Sequence, residues 1–165
     1  MGDAHEMEPP RRHRIDVVNE TKHRIRVSPI KEALSMTFAL YKHPRAVVCV
    51  LLTDDERMRA LNREFRKVDE TTDVLTFPAG DFPNVPLGDI AISVPCAKRQ
   101  AQARGVPLEV ELTYLAIHGG LHLLGHDDED EAGHKKMVSE MHRIGIAIGL
   151  PEDSDWSSLL HGEEA

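Results

Sequence analysis

Between residues 112 and 125 the sequence is almost entirely apolar, yet it carries His118 and His122 four positions apart. On an α-helix that spacing is one turn and an offset of about 40°, so the two imidazoles face the same way. Leu112, Leu115, Ala116, Leu121 and Leu124 surround them, which places the pair in or near a core. An imidazole buried there without a partner is costly, and a metal ion would relieve that cost. The stretch falls short of the roughly 20 apolar residues that span a bilayer, as does the other apolar run, residues 46–53, so no transmembrane segment is expected. The chain has to bury this helix against further elements of its own.

A tetrahedral zinc site needs a third protein ligand and, if catalytic, leaves the fourth position open. Continuing the helix cannot supply it, because His118 and His126 would stand about 12 Å apart along the axis. Gly125 can take the left-handed conformation that ends a helix, so the third ligand is expected from the loop just beyond it. His126, Asp127, Asp128 and, further on, His134 are the side chains available there. The familiar metalloprotease pattern puts a glutamate base next to the first histidine. Here that position is Gly119, which disfavours a zinc peptidase.

The remaining elements follow from punctuation. At 165 residues, with 41% apolar and 29% charged, the chain reads as one globular domain over residues 15–152, between a lead-in at 1–14 and a polar tail at 153–165. The spacing predicts strands near 15–19, 46–52, 72–77 and 89–93. Helices are expected over 28–41 with Ser28 as N-cap, from the Thr53-Asp54 cap to about 68, over 95–104, 107–124 and 131–148. Gly105, Gly125 and Gly149 close the last three. Strands first and helices last give an α+β fold, not a doubly wound one. The acidic N-terminus has no apolar h-region and does not read as a secretory signal, so the cytoplasm is the expected location. Cys49 and Cys96 are too few and too far apart in sequence for a disulfide framework and are expected as packed thiols.

Twenty Lys and Arg against 28 Asp and Glu give a net charge of −8, which argues against a polyanionic partner unless the cations gather on one face. They do gather on the second helix, which holds Arg57, Arg59, Arg63, Arg66 and Lys67. Its apolar stripe, Met58, Leu61, Phe65 and Val68, is expected in the core. No run of exposed aromatics accompanies the cations, so base stacking is not signalled.

His118-Gly-Gly-Leu-His122-Leu-Leu-Gly125, with an acidic loop behind it, resembles the signature of the YbeY endoribonucleases, metal-dependent bacterial proteins of ribosomal RNA maturation and ribosome quality control. Leu61-Asn62-x-x-Phe65-Arg66, residues 72–78 (TDVLTFP) and Leu87-Gly88-Asp89-Ile90 follow in the family's order, so the resemblance covers about residues 15–150. It implies a small mixed four-stranded sheet with about five helices and a metal at the end of a central helix. It also implies a metal-dependent endoribonuclease acting on single-stranded or ribosomal RNA beside ribosomal components, with no membrane partner. Where the family usually ends its motif Gly-Tyr-Asp-His, this chain reads Gly125-His126-Asp127-Asp128. The resemblance therefore implies one Zn²⁺ per chain on His118, His122 and Asp128, a carboxylate replacing the usual third imidazole, with His126 as the alternative. It gives Arg66 the catalytic role of holding a phosphate, a task that suits guanidinium. Asp127 would orient a ligand from behind. A non-catalytic, metal-containing ribosome-assembly factor is the second reading.

Overall fold

β-branched and apolar runs pair side by side to form the frame of the computed structural model, which describes residues 13–79 and 87–150. Strands β1 (Arg14–Asn19), β2 (Val47–Thr53) and β4 (Gly88–Ser93) lie parallel, and β3 (Val74–Pro78) runs antiparallel on the edge beside β4, giving the order β1-β2-β4-β3. Five helices join them: α1 (Ser28–Leu40), α2 (Asp55–Arg66), α3 (Val94–Arg104), α4 (Leu108–Leu123) and α5 (Glu131–Ala147). The fold is the α+β arrangement expected, with a mixed sheet. The lead-in up to residue 12, the tail and most of the β3–β4 loop fall outside the described residues, and Arg14, placed in the lead-in, begins β1. Among those described, no helix is long and apolar enough to cross a membrane.

Alternation along the strands gives the sheet two unlike faces. Ile15, Val48, Val50, Leu52, Ile90 and Ile92 point to an inner face and join the main core with α1, α4 and α5. The outer face is packed by α2, in a smaller cluster of Met58, Leu75 and Ala91 with Leu51, Leu61 and Phe77 at its margin. Here the expectation for the α2 stripe needs correction. Met58 is wholly buried, but Phe65 is 58% and Val68 41% exposed. The helix stops at Arg66, because Lys67 turns left-handed at φ 62°, so Val68 is not on the helix at all.

Local chemistry sets most helix ends. The Asp54 carboxylate accepts from the Arg57 N–H, and Ser93 and Asp130 cap α3 and α5 in the same way. Ser28 is not a cap: α1 begins on it, Val27 holds the N-cap position without a side-chain bond, and Pro29 supplies the fixed φ of the first turn.

Helix α4 runs between the sheet and α1 at close range. A Cβ on Gly119 would lie 3.0 Å from Ile90 Cγ2, and one on Gly120 would lie 2.7 Å from Leu34 Cδ2. Position 119 therefore faces the sheet, with no room for a larger side chain. Glu111, fully buried near the start of α4, is held by Arg104 of α3 at 3.2 Å.

Candidate metal centre

The last turn of α4 carries His118 and His122, and a Schellman motif closes it. The His126 N–H donates to the Leu121 carbonyl at 3.0 Å and the Gly125 N–H to that of His122 at 2.9 Å. Gly125 takes φ 99°, which a residue with a Cβ adopts only under strain. The chain reverses there, and the Asp127 carboxylate tightens the new turn by accepting the Glu129 N–H at 2.9 Å. Asp128 is thereby carried back to the histidine pair.

The resulting geometry is a triangle. His118 Nε2 and His122 Nε2 are 3.1 Å apart, His122 Nε2 is 3.5 Å from Asp128 Oδ1, and His118 Nε2 is 3.9 Å from Asp128 Oδ2. Ligands at the 2.0–2.1 Å bond length of tetrahedral zinc would be separated by about 3.4 Å. The donor set and its spacing therefore fit such an ion without rearrangement of the backbone. His118 is buried, with 3% of its side chain exposed, whereas His122 and Asp128 keep 22% and 15%, so the group opens to solvent on the side of the latter two. Among the described residues this is the one set of three His, Cys, Asp or Glu side chains with ligand atoms within 4.8 Å of one another.

The other loop residues go elsewhere. His126 packs edge-on against Tyr41 of α1, ring centres 5.0 Å apart, and lines a cavity of about 310 Å³ with Lys136 on the far side of the loop. Burial, reinforced by Lys136, holds its pKa below the ordinary histidine value. His134 sits in the first turn of α5 and is not part of the triangle. Asp127 shapes the loop through its bond to Glu129.

Behind this loop lies a cluster that sequence reasoning missed. The Tyr41 hydroxyl donates to Glu140 of α5, Arg143 donates to the same carboxylate at 2.7 Å, and the guanidinium stands 5.9 Å over the Tyr41 ring. Burial, with the Glu140 charge, pushes the Tyr41 hydroxyl up to about 12. The bond from Arg143 holds Glu140 below the ordinary carboxylate range. Only the i, i+3 spacing of Glu140 and Arg143 was visible in advance.

The arginine stripe on α2 divides in two. Asp69 accepts from Arg59 at 2.9 and 3.2 Å and from Arg63 at 3.3 Å, so those two cations are neutralised on a solvated face. Arg66 is exposed and has no hydrogen bond or ion pair among the described residues. Asn62, buried on the same helix, donates to the Glu70 carbonyl at 2.9 Å and fixes how the chain leaves α2. Arg66 is the last residue of α2. Its neighbour Phe65 packs on Phe77 of β3 at 5.3 Å, and the end of β3 meets Gly88, where a Cβ would lie 2.7 Å from Leu123, the residue after His122.

Two imidazoles from one helix and a carboxylate from the turn behind it, open on one side, form the donor arrangement of a metal-dependent hydrolase. The profile of the family described as Endoribonuclease YbeY matches residues 14–149. Three curated relatives of that name are similar. The one from Myxococcus xanthus (strain DK1622) is 46% identical over 108 residues, which cover 62% of this chain and 37% of the relative. The one from Synechococcus sp. (strain JA-2-3B'a(2-13)) is 45% identical over 123 residues, 68% of this chain and 72% of the relative. The one from Wolinella succinogenes is 40% identical over 139 residues, 83% and 92% of the two chains. A solution structure of a Thermotoga maritima protein matches with a TM-score of 0.56 at 26% identity, over 81% of this chain and 90% of that one. The chain belongs to the YbeY endoribonuclease family.

Proposed function

We propose that this protein is a metal-dependent endoribonuclease that cuts single-stranded segments of ribosomal RNA during its maturation, in the cytoplasm and beside ribosomal components, with residues 15–152 as its catalytic domain. The observation that carries the reading is the His118–His122–Asp128 triangle, open on one side, in a chain of this family. Zn²⁺ is the ion that the donor set and spacing suit. When bound, it supplies Lewis acidity toward a phosphoryl oxygen and acidifies a water. His118 and His122 hold it as neutral imidazoles, and Asp128 adds a negative charge that a third histidine would not. Arg66, unpaired among the described residues, binds a phosphate oxygen of the scissile strand and stabilises the charge that grows there in the transition state. A zinc peptidase is opposed by the packing at Gly119, where a glutamate would be driven into Ile90 instead of toward the ion.

The test measures metal content and RNA cleavage on one metal-replete sample. Wild type should hold one equivalent of metal and cut single-stranded RNA, and His122→Ala should lose both. Asp128→Ala should lose the metal, Asp128→His should retain it, and His126→Ala should leave it in place. Metal lost from His126→Ala but kept by Asp128→Ala would reverse the assignment of the third ligand. Metal-replete wild type without RNA cleavage would favour the assembly-factor reading.

A further inference from the structure

The exposure of Phe65 is unexpected for a large apolar side chain in a family motif, and its surroundings specify what it could meet. Its ring is braced by a T-shaped contact with Phe77, ring centres 5.3 Å apart at 71°, while 58% of the residue stays open to solvent. We propose that Phe65 is a stacking platform for one nucleobase of the RNA strand whose phosphate Arg66 holds. The inference rests on the RNA-cleavage reading and adds a base-binding subsite to it.

Two observations favour a nucleotide over a protein side chain. Phe65 and Arg66 are consecutive on α2, so their side chains diverge by about 100°, with the Phe65 ring against Phe77. A nucleotide likewise presents a flat base and a charged phosphate in different directions. The exposed residues next to Phe65 in sequence, Glu64, Arg66 and Lys67, are also all charged, which suits one ring better than a continuous apolar interface. Stacking on an aromatic is worth about 1–3 kcal/mol per base and tolerates any base, which fits an enzyme that recognises single strands by their phosphates.

The experiment compares kcat/KM of the metal-replete full chain on a short single-stranded RNA and on copies that each lack one base. Phe65→Leu keeps an apolar contact with Phe77 and should retain metal and melting temperature, yet lose about tenfold in kcat/KM, mainly through KM. Phe65→Tyr should stay within about threefold of wild type. One base-free position should lower the wild-type rate by a similar factor and leave Phe65→Leu unaffected. In a Trp156→Phe background, the fluorescence of Phe65→Trp should be quenched when RNA is added. A Phe65→Leu variant equal to wild type on intact RNA overturns the inference while leaving the nuclease reading intact, and a surface for a protein partner is then the alternative. The same base-removal penalty in both proteins overturns it equally. A wild type that cuts no RNA overturns both.

Discussion

The two faces of the sheet are built to different standards. Against the inner face α1, α4 and α5 bury Leu34, Phe38, Leu115 and Ile117 completely, and at two glycines of α4 an added Cβ would press within 3.0 Å of Ile90 or Leu34. The outer face has one helix, a cluster with three fully buried hydrophobic residues, and side chains such as Val18 and Phe65 left half in water. Packing at native density makes a side chain costly to move, so the inner face can hold His118 and His122 in fixed orientation. A sparsely covered face costs little stability to vary and leaves groups free to meet a ligand. The two histidines of the candidate metal group lie on α4, which packs on the first kind of surface, and Arg66 lies at the end of α2, on the second.

The largest expected effect separates the arginines within the outer region. Arg66→Ala should lower RNA cleavage by about 10²-fold with metal content unchanged, and Lys should rescue only in part. Arg59→Ala, which removes a cation already spent on Asp69, should stay within a few-fold. Equal losses in the two variants would erase the distinction between a paired and an unpaired guanidinium.

Stability should show the contrast between the faces directly. Leu115→Ala on α4 should destabilise by about 3 kcal/mol in denaturant unfolding, as large-to-small changes in a close-packed core do. Val18→Ala on the outer face should change it by less than about 0.5 kcal/mol. A large loss at Val18 would mean that the outer face is covered after all.

The smallest effect concerns pH. The Tyr41 hydroxyl titrates near 12 in the folded chain, burial being the main cause, against about 10 when unfolded. Its contribution is complete below about 10 and is lost as the pH rises through 12. Glu140 is shifted the other way, chiefly by Arg143, so its contribution is present above the ordinary carboxylate range of about 4.3 and is lost as the pH falls below it. Melting temperature followed over pH should fall slightly on both flanks, and Tyr41→Phe should flatten the alkaline one.

What the sequence reveals of this molecule is what short stretches determine. The histidine spacing, the glycine that ends α4 and the carboxylate cap of α2 are all decided within about ten residues, and each is found where its chemistry requires. The Tyr41–Glu140 bond joins positions 99 apart, and no local pattern announces it. Phe65 and Val68 share the spacing of a core stripe with Met58, but burial depends on how far the sheet extends opposite the helix. The sheet ends at β3, and there Phe65 meets Phe77 while 58% of it stays exposed. A helix expected to continue to Val68 stops two residues earlier because Lys67 turns left-handed without the glycine that usually marks such a stop.

All three donors of the triangle lie between positions 118 and 128, in one helical turn and the reversal behind it. Assembling them closes a loop of only about ten residues and requires no strand pairing, so the chain entropy opposing it is small compared with that of the parallel crossovers. An ion can therefore be captured by the α4–α5 hairpin before the sheet has formed. Its grip would then shield the amides of those two helices from exchange while leaving the opening of β1, at the far edge, unchanged.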